Sequence, residues 1–430
     1  MNIAIVGTGI AGNIAAYYLS PEHQITIFEA NDYVGGHTHT HDIEWDGQQY
    51  TLDSGFIVFN YKTYPFFTKL LKDLGVPVQP SSMSFSVKCE RSGMEYNGTT
   101  LNTLFAQRRN LFRPSFYRMI RDILRFNQEA PQFLAIPDMQ TTVHEYLTQG
   151  CYGDDFIERY LIPMGAAIWS GNPSNMHAMP AQFFIRFFHN HGMLSVDDRP
   201  TWYVIQGGSR EYVRKLTTGF RHRIQTDSPV ESIRRHRDFV SVKVQNRPPQ
   251  RFDAVFIAAH SDEALQLLAD ATTLEQEVLR PMAYQENEAV LHTDEGMLPT
   301  RRRAWAAWNY HIPVKPQNRV ALTYNLNILQ NIQAPVQFCL TLNNSREISP
   351  KKIIKRMIYY HPVFTAESVL AQQRQSEING MNRTYFCGAY WRYGFHEDGV
   401  VSALNALEHF RRTPHHAQLS VRRSGTASAV

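Results

Sequence analysis

The chain opens with Asn2-Ile3-Ala4-Ile5-Val6-Gly7-Thr8-Gly9-Ile10-Ala11-Gly12, in which an apolar run of strand length enters a glycine-rich turn. The residues that follow, 13–19, are typical of a helix, and a second β-branched run at 24–28 ends in Glu29. Because a strand, a turn, a helix and a second strand follow one another directly, this segment predicts a βαβ unit.

The three glycines of this turn have the spacing of a dinucleotide-binding fingerprint. Gly7 permits the tight turn, Gly9 leaves room for a pyrophosphate, and Gly12 lets the helix pack close to the strand. The helix N-terminus offers free N–H groups to phosphates. Glu29 lies 22 residues after Gly7, where an acid is expected to accept hydrogen bonds from a ribose. A tight turn without a ligand is the alternative. The predicted cofactor contacts of this unit are Gly7, Gly9, Ile10, Ala11, Gly12, Glu29 and Ala30.

Length and composition are those of a globular protein that can bury a large core. The chain has 430 residues, of which 43% are apolar, and its formal charge of +4 is too small to imply nucleic-acid binding. The four cysteines are widely spaced and form no C-x-x-C pair, which favours a reduced, cytoplasmic protein without a metal site. No apolar run approaches the length of a membrane span, and the apolar N-terminus lacks the basic residues of a signal peptide.

Sheet and helix patterns interleave along the chain. Nucleotide-type elements are predicted at 1–60, 200–265 and 384–410, with mostly helical or strand-rich segments between them. The sequence therefore predicts an α/β fold in which an α+β domain is inserted, in pieces, into a discontinuous Rossmann-like domain. The predicted nucleotide domain comprises 1–80, 195–268 and 380–412, the substrate domain comprises 81–194 and 269–379, and 413–430 is a flexible tail.

Four separated features occur in one order. The opening βαβ unit is followed by the Gly35-Gly36 pair, then by Gly207-Gly208 before a helix, and last by the strand Phe386-Cys387-Gly388 with a helix at Gly399. This order resembles the flavin amine oxidase and phytoene desaturase superfamily, whose members bind FAD. NAD enzymes need only the first feature, so the resemblance implies FAD as the cofactor and an amine-oxidase-like fold.

The resemblance also implies roles for individual residues. Gly36 and His37 fall in the loop that meets the pyrophosphate, and Val230 matches the residue whose backbone brackets the adenine. Gly399 and Val400 match the start of a helix whose N–H groups face O2 and N1 of the flavin, where a helix N-terminus stabilises the charge of the reduced ring. The remaining implied cofactor contacts are Gly35, Ala259, Gly388 and Ala389.

Two positions depart from the superfamily pattern. After Gly388 the superfamily usually has an acid for the ribityl or phosphate end, and here the residue is Ala389. The strands predicted within 300–325 carry no lysine of the kind that amine oxidases place beside flavin N5. The second departure counts against amine oxidation.

A closer resemblance covers nearly the whole chain. The segments 164–170, 305–310, 360–364, 386–390 and 394–399 look like a bacterial flavoprotein branch that is similar to the N-terminal flavoprotein-like region of plant cyclopropane-fatty-acid synthases. Bacterial members of that branch commonly accompany enzymes that methylate unsaturated acyl chains. The resemblance therefore implies a lipid-related oxidoreduction, with a lipid-modifying methyltransferase as a partner.

These observations lead to three hypotheses for function. We expect an FAD-dependent oxidoreductase, a dehydrogenase or desaturase that transfers hydride from an apolar fatty-acyl or lipid substrate to flavin N5. A flavin amine oxidase is one alternative, and a non-catalytic flavin-binding partner of a lipid-modifying methyltransferase is another.

The arginine-rich and aromatic stretch 101–129 bears on location. Such a stretch suits the anionic inner face of a membrane, and a solvated helix face in the second domain is the alternative. We expect a cytoplasmic protein in which a solvated helix face is the favoured interpretation of 101–129, and peripheral contact of this stretch with the inner face of the membrane stays open.

Candidate catalytic residues precede the closing helix. His396, Glu397 and Tyr390 lie beside the predicted flavin end, where His396 or Glu397 suits proton transfer. The alternative is that this segment only caps a helix that starts at Gly399, with Asp398 as the N-cap residue.

Three alternating histidines follow the Gly35-Gly36 pair. His37, His39 and His41 would share one face of a strand, as metal ligands do. A flavin-facing loop fits their position after Gly36 better, and a covalent flavin link through His37 stays open.

Overall fold

The computed structural model describes residues 1–135, 137–195, 199–315 and 317–413, which form two units. Unit 1 contains Met1–Gly36, Tyr212–Ala283 and the described part of Leu370–Val430, and unit 2 contains His37–Glu211 and Tyr284–Val369. The strands are β1 Asn2–Val6, β2 Gln24–Phe28, β3 Thr40–Trp45, β4 Gln48–Asp53, β5 Phe59–Asn60, β6 Val78–Ser81, β7 Phe85–Cys89, β8 Met94–Asn97, β9 Trp202–Ile205, β10 Ile224–Gln225, β11 Val230–Arg235, β12 Val240–Val244, β13 Gln250–Phe252, β14 Ala254–Ile257, β15 Tyr284–His292, β16 Trp308–Ile312, β17 Leu322–Asn325, β18 Cys339–Leu342, β19 Ile353–Pro362 and β20 Thr384–Phe386. The α-helices are α1 Ile10–Leu19, α2 Pro65–Asp73, α3 Leu101–Leu104, α4 Pro114–Phe133, α5 Val143–Gln149, α6 Asp154–Phe156, α7 Ile162–Trp169, α8 Pro173–Ala178, α9 Ala181–Asn190, α10 Arg210–Thr217, α11 Ser261–Leu267, α12 Thr273–Leu279, α13 Leu326–Leu329, α14 Ala366–Gln372, α15 Gln375–Ile378 and α16 His396–Arg412.

Unit 1 is built on a parallel sheet with the strand order β10-β2-β1-β14-β20. β1 lies at its centre, paired with β2 on one side and with β14 on the other. Ile3, Ala4 and Ile5 are fully buried, as expected for the apolar strands of a parallel sheet covered on both faces. β1 leads through the glycine turn into α1, and β20 leads toward α16, so two strand ends are each followed by a helix.

A small antiparallel sheet in the order β11-β12-β13 completes the strands of unit 1. Arg235, the last residue of β11, is buried and donates through Nε to Asp270 Oδ1 at 2.7 Å. Its Nη1 and Nη2 atoms donate to the two carboxylate oxygens of Glu275, each at 2.8 Å. The guanidinium group therefore ties the end of β11 to the segment that leads into α12.

The described residues of unit 2 form three sheets. The largest has the order β19-β15-β18-β17-β16-β7-β8, in which only the pairing of β16 with β7 is parallel. β3 pairs with β4, and β9 lies between β5 and β6. The pairing with β5 and β6 places β9 in unit 2, although the sequence pattern at 200–265 predicts a nucleotide-domain strand there.

The bounds of the units differ from the predicted domain boundaries. Residues 37–80, 195 and 199–211 lie in unit 2, where β3 pairs with β4 and, in a separate sheet, β9 pairs with β5 and β6. Residues 269–283 and 370–379 lie in unit 1. Of the predicted tail at 413–430, all but Thr413 lies outside the described residues.

Some predicted helices have different internal structure. The stretch 101–129 is not one helix, because a 3-10 turn at Arg108–Phe112 separates α3 from α4. A break was expected near Pro163, but the irregular segment is the π-helical turn Ile157–Leu161 that joins α6 to α7. Proline lacks an N–H group, and the carbonyl oxygen four residues earlier, on Arg159, accepts a hydrogen bond from the Tyr96 hydroxyl at 2.6 Å instead.

Candidate functional site

The turn after β1 can be formed only by glycine at two positions. Gly7 has a φ of +96°, its N–H donates to the Phe28 carbonyl at 2.8 Å, and a Cβ atom there would lie 2.8 Å from the Ala258 carbonyl oxygen. A Cβ atom at Gly12 would overlap the Gly7 carbonyl oxygen. The two glycines therefore hold α1 close to β1 and β14.

The backbone of Gly36 packs closely against that of Gly9, the middle glycine of this turn. A Cβ atom at Gly36, whose φ is +59°, would lie 3.0 Å from the Gly9 Cα atom. A Cβ atom at Gly9 would meet nothing within 4 Å, so the space beside it is open. The Gly35 N–H donates to Thr8 Oγ1 at 3.2 Å and fixes the glycine pair against the opening turn.

Glu29 links the turn to the end of β2. Its Oε2 atom accepts from the Thr8 N–H at 2.9 Å and from Thr8 Oγ1 at 2.5 Å. Its Oε1 atom accepts from the backbone and side-chain nitrogens of Asn31 at 2.9 and 2.8 Å. Four hydrogen bonds fill the usual capacity of a carboxylate. A ribose hydroxyl would therefore replace one of these donors, and the exposed Asn31 side chain is the one with room to move.

Three further predicted contacts lie at strand ends around this turn. Ser228, two residues before Val230, donates its N–H to the Glu29 carbonyl at 2.8 Å and so brings the start of β11 to the end of β2. Ala30 is exposed at that end. Ala259 follows Ala258, whose N–H donates to the Val6 carbonyl at 2.8 Å.

The closing helix α16 meets α1 at the N-termini of both. A Cβ atom at Gly399 would lie 2.6 Å from Ile10 Cγ2 and 3.8 Å from the Ala11 nitrogen. The Gly388 N–H, after β20, donates to Ser402 Oγ at 2.9 Å and joins that strand end to the same helix. The residues from the beginning and the end of unit 1 are thus brought together, with Ala389 in the 3-10 turn that follows Gly388 and Val400 buried in α16.

α16 does not begin at Gly399, as the sequence suggested, but at His396. Asp398 is its third residue, and its Oδ2 atom accepts the backbone N–H groups of Phe395 at 2.9 Å and Tyr393 at 3.2 Å. Burial raises the pKa of Asp398 to about 6, against the opposing influence of Arg392. The carboxylate therefore holds the two residues that lead into the helix from the third position of the helix itself.

The three candidate catalytic residues are all buried in unit 1. His396 Nε2 lies 2.7 Å from the Tyr212 hydroxyl, which makes a buried pair able to hold a proton. Glu397 is next to it in the first turn of α16, and Tyr390 lies in the 3-10 turn after β20. The Tyr390 carbonyl accepts from Gln372 Nε2 at 2.8 Å, which fixes this turn.

His37, the remaining predicted contact, belongs to unit 2. Its carbonyl accepts the Phe56 N–H at 2.7 Å, and its ring lies 5.3 Å from the Tyr359 ring and 5.4 Å from the His361 ring. Among the residues that the structure describes, no three His, Cys, Asp or Glu side chains converge as metal ligands.

One residue at the turn was missed by the sequence reasoning. Asn13 is fully buried in α1 and donates through Nδ2 to the Thr8 carbonyl at 2.5 Å. Its Oδ1 atom has no hydrogen-bond partner within the described part of the chain. A polar residue directly after the third fingerprint glycine, on the helix face that meets the sheet, is the signal that could have identified it.

The residues of this site fit a dinucleotide cofactor. Among the described residues no side chain caps α1, the space beside Gly9 is open, and the backbone approaches closely at Gly36. An uncapped helix N-terminus with open space before it is suited to a pyrophosphate. The first turn of α16 lies at the same place and adds a second positive dipole end.

Comparisons with known proteins identify the family and the fold. Residues 10–296 match the family model described as flavin containing amine oxidoreductase. The fold is similar to that of a CLA-producing fatty acid isomerase from P. acnes, with a TM-score of 0.68, 17% identity, and coverage of 95% of this chain and 98% of that one. For cyclohexylamine oxidase from Brevibacterium oxydans the TM-score is 0.67 and the identity 14%, with coverage of 96% of this chain and 99% of that one. For putrescine oxidase the TM-score is 0.66 and the identity 14%, with coverage of 96% of this chain and 100% of that one. No curated protein sequence matches the chain.

Proposed function

The chain belongs to the family of flavin-containing amine oxidoreductases, and from this premise we propose that it is a dehydrogenase or desaturase of fatty-acyl or other apolar lipid substrates. It is an FAD-dependent oxidoreductase, as the family establishes. FAD supplies an isoalloxazine ring whose N5 atom accepts a hydride from the substrate. The protein supplies binding, orientation and control of protons.

The contact of Gly399 with Ile10 is the observation that carries the cofactor assignment. The N-terminus of α1, with Gly9 and Gly36 beside it, would hold the pyrophosphate. Glu29 and the backbone near Val230 would hold the adenosine. The first turn of α16 would face the pyrimidine edge of the flavin, where its dipole stabilises negative charge.

Three observations support the proposed substrate class. The sequence resembles a flavoprotein branch that accompanies enzymes acting on acyl chains, and one protein of similar fold is a fatty acid isomerase. In addition, neither β16 nor β17 contains a lysine, and Lys315 lies between them in an exposed loop. An apolar substrate without an amine therefore suits the chain better than an amine.

Anaerobic mixing of the purified yellow protein with a panel of substrates tests this proposal. We expect unsaturated fatty acids or phospholipids to bleach the flavin absorbance, and primary amines to leave it unchanged. Bleaching by amines alone, with release of hydrogen peroxide in air, would instead establish an amine oxidase. Comparing the lipid profiles of cells with and without the gene identifies the acyl chain that changes.

Amine oxidation is the second candidate, because two of the proteins of similar fold oxidise cyclohexylamine and putrescine. The non-catalytic alternative and the methyltransferase partner stay predictions. Capture of a methyltransferase by the tagged protein, together with a flavin that no lipid reduces, would favour the non-catalytic alternative.

We also propose that the protein acts at the inner face of a membrane, through the surface formed by 101–129. Leu101 and Phe112 are 77% and 86% exposed, and Arg108 and Arg109 are exposed beside them. Exposed apolar side chains next to arginines suit a surface of anionic lipid. Within the described residues, no helix is both long and apolar enough to cross a bilayer.

A further inference from the structure

Unit 2 contains a continuous path of hydrogen bonds that cofactor binding does not explain. Lys355 Nζ lies 3.3 Å from His41 Nδ1, and His41 Nε2 lies 2.8 Å from Ser54 Oγ. Ser54 Oγ lies 2.6 Å from the Tyr359 hydroxyl. That hydroxyl lies 2.9 Å from His39 Nδ1. The path therefore joins five side chains from three separate segments of the sequence.

The strands of unit 2 align these side chains. His41 lies on β3 and Ser54 directly follows β4, its antiparallel partner. Lys355 and Tyr359 lie on β19, four residues apart and therefore on the same face. Lys355 is exposed, whereas His41, Ser54 and Tyr359 are each no more than 6% exposed. The path thus runs from exposed Lys355 through three buried side chains to His39, which is half-buried.

The donor and acceptor roles along this path are consistent with one direction. An ammonium group only donates, so His41 Nδ1 accepts from Lys355, and a neutral His41 carries its proton on Nε2. That N–H donates to Ser54, whose one hydroxyl proton has two acceptors within reach, the Tyr359 hydroxyl at 2.6 Å and the His39 carbonyl at 3.2 Å. In the shorter of these bonds Ser54 donates to Tyr359, and Tyr359 then donates to His39 Nδ1. Burial, with His39 and Lys355 nearby, lowers the pKa of His41 to about 3, which keeps its ring neutral. His41, Ser54 and Tyr359 can each give one proton and take another.

A nucleophilic role for Ser54 does not fit this arrangement. In a Ser–His pair the second ring nitrogen of the histidine usually faces a carboxylate, which stabilises the imidazolium. Here that nitrogen of His41 faces Lys355, which opposes protonation of the ring. Ser54 is also buried and hydrogen-bonded to a second residue, Tyr359.

We propose that Lys355, His41, Ser54, Tyr359 and His39 form a proton relay between solvent and the segment that follows the Gly35-Gly36 pair. Its use in oxidoreduction rests on the proposed function, since removal of a hydride from a C–H bond leaves a proton to be released.

The transfer is balanced and needs no electron donor or acceptor. For inward transfer, an N–H bond of Lys355 breaks as one forms at His41 Nδ1, and the Nε2–H bond of His41 breaks as an O–H bond forms on Ser54. The original hydroxyl proton of Ser54 passes to Tyr359, and that of Tyr359 passes to His39 Nδ1. The net result moves one proton from Lys355 to His39. Outward transfer is the reverse.

Nitrogen NMR of the flavin-loaded protein with labelled histidine tests the relay without any substrate. In the wild type, protonation of His39 gives it an Nδ1–H that donates to Tyr359. Tyr359 then donates to Ser54, and Ser54 donates to His41 Nε2, so that each hydrogen bond of the path reverses its direction. The proton of neutral His41 then moves from Nε2 to Nδ1 while exposed Lys355 turns to solvent. We expect this change of tautomer at His41 to accompany the titration of His39.

Two variants break the path and one matched variant does not. Tyr359→Phe and Ser54→Ala each remove one hydroxyl, and we expect the His41 tautomer to stop responding to His39 in both. Tyr360→Phe removes a hydroxyl from the exposed face of the same strand and should behave as wild type. Flavin content and circular dichroism identify any variant that fails to fold, and in that event the other relay variant decides.

Electrostatic coupling alone gives a different result. The His39 and His41 rings are 4.1 Å apart, and His41 is also near Lys355, Asp42 and Arg210, the last two joined by an ion pair of 2.5 Å. These charges act on the pKa of His41 with or without the Tyr359 hydroxyl. A His41 tautomer that never changes in the wild type, or that still changes in Tyr359→Phe, overturns the relay.

A kinetic measurement then tests its use. With a substrate that bleaches the flavin, we expect a solvent deuterium effect on turnover that increases in Tyr359→Phe and not in Tyr360→Phe. Intact tautomer coupling with no bleaching by any lipid would contradict the proposed function and leave the relay standing. If the His41 tautomer does not respond to His39 but lipids bleach the flavin normally, the relay is overturned and the proposed function stands.

Discussion

Gly399 and Ile10 are in contact, although they are 389 positions apart in the sequence: a Cβ atom at position 399 would lie 2.6 Å from Ile10 Cγ2. Ile10 is the first residue of α1, and Gly399 is the fourth residue of α16. The N-termini of the two helices therefore meet at one place. Two positive dipole ends and the open space beside Gly9 therefore belong to one site, which is the basis of the first two predictions.

Gly399→Ala is expected to weaken flavin binding. The added methyl group collides with Ile10 Cγ2 and forces α16 away from α1, at a cost of roughly 1–3 kcal/mol for overpacking. Titration of the apoprotein with FAD measures the loss, which should be about tenfold or more. The double variant Gly399→Ala with Ile10→Ala removes the collision and should recover affinity. Equal affinities for wild type and Gly399→Ala would contradict the proposed position of the flavin.

We expect Gly9→Ala to lose FAD binding and Gly12→Ala to lose the fold. Gly9 has φ −61° and ψ 178°, which alanine adopts freely, and its Cβ atom would meet only open space. The apoprotein should therefore keep the wild-type melting temperature but bind FAD poorly, because the methyl group occupies the pyrophosphate position. Gly12→Ala overlaps the Gly7 carbonyl oxygen and should prevent folding. Full flavin content in purified Gly9→Ala would show that the pyrophosphate lies elsewhere.

The sequence predicted those parts of the site that depend on neighbouring residues. The order of β1, the glycine turn, α1 and Glu29 follows from local spacing, and the family match confirms the fold and the flavin that this order indicated. The start of α16 was placed three residues late because Asp398 looks like an N-cap residue, while its carboxylate in fact accepts the N–H of Phe395 from the third helical position.

The sequence pattern could not predict which strands and side chains that are distant in the sequence lie side by side. β9 has the apolar, β-branched composition of a nucleotide-domain strand, but it pairs with β5 and β6 in unit 2. The contact of Tyr359 with Ser54 joins residues 305 positions apart, and nothing in either segment indicates the other. Periodicity reports which face of a strand is buried, not which strand lies beside it.

Asp398→Asn should change how stability depends on pH. Burial raises the pKa of Asp398 from 3.8 to about 6 in the folded protein. Between about pH 4 and 6 the unfolded state gives up this proton first, so the free energy of unfolding falls as the pH rises, by about 3 kcal/mol in all. Above that range the contribution is constant. Asparagine keeps an oxygen that accepts the Phe395 N–H but does not ionise, so its denaturation curves should lack this decrease. Parallel pH profiles for variant and wild type would contradict the pKa assignment.

Arg235→Met is expected to destabilise unit 1 strongly. The substitution leaves the carboxylate of Glu275, which is fully buried, without its cation, and removing one partner of a buried pair costs about 3–5 kcal/mol. Urea denaturation measures the change. Asp270→Asn is the matched control, because the Asp270 side chain is 30% exposed and its loss should cost far less. The combination of Arg235→Met with Glu275→Gln should recover part of the stability, and a mild effect of Arg235→Met alone would contradict this account.

Replacing the two most exposed apolar residues of 101–129 should reduce binding to anionic membranes. Phe112 and Leu101 would each bury a large apolar side chain at the lipid surface, worth about 1.5–3 kcal/mol per residue. The double variant Leu101→Ser with Phe112→Ser should therefore sediment with phosphatidylglycerol vesicles at least about tenfold more weakly than wild type, since about 1.4 kcal/mol is a factor of ten. Val314→Ser is the matched control, because Val314 is 61% exposed but lies outside this surface. Flavin content should be unchanged in all three proteins. Wild-type protein that binds neutral phosphatidylcholine as well as anionic vesicles, or a double variant that binds as wild type does, would contradict a role for this surface, because both its arginines and its apolar residues are required by the proposal.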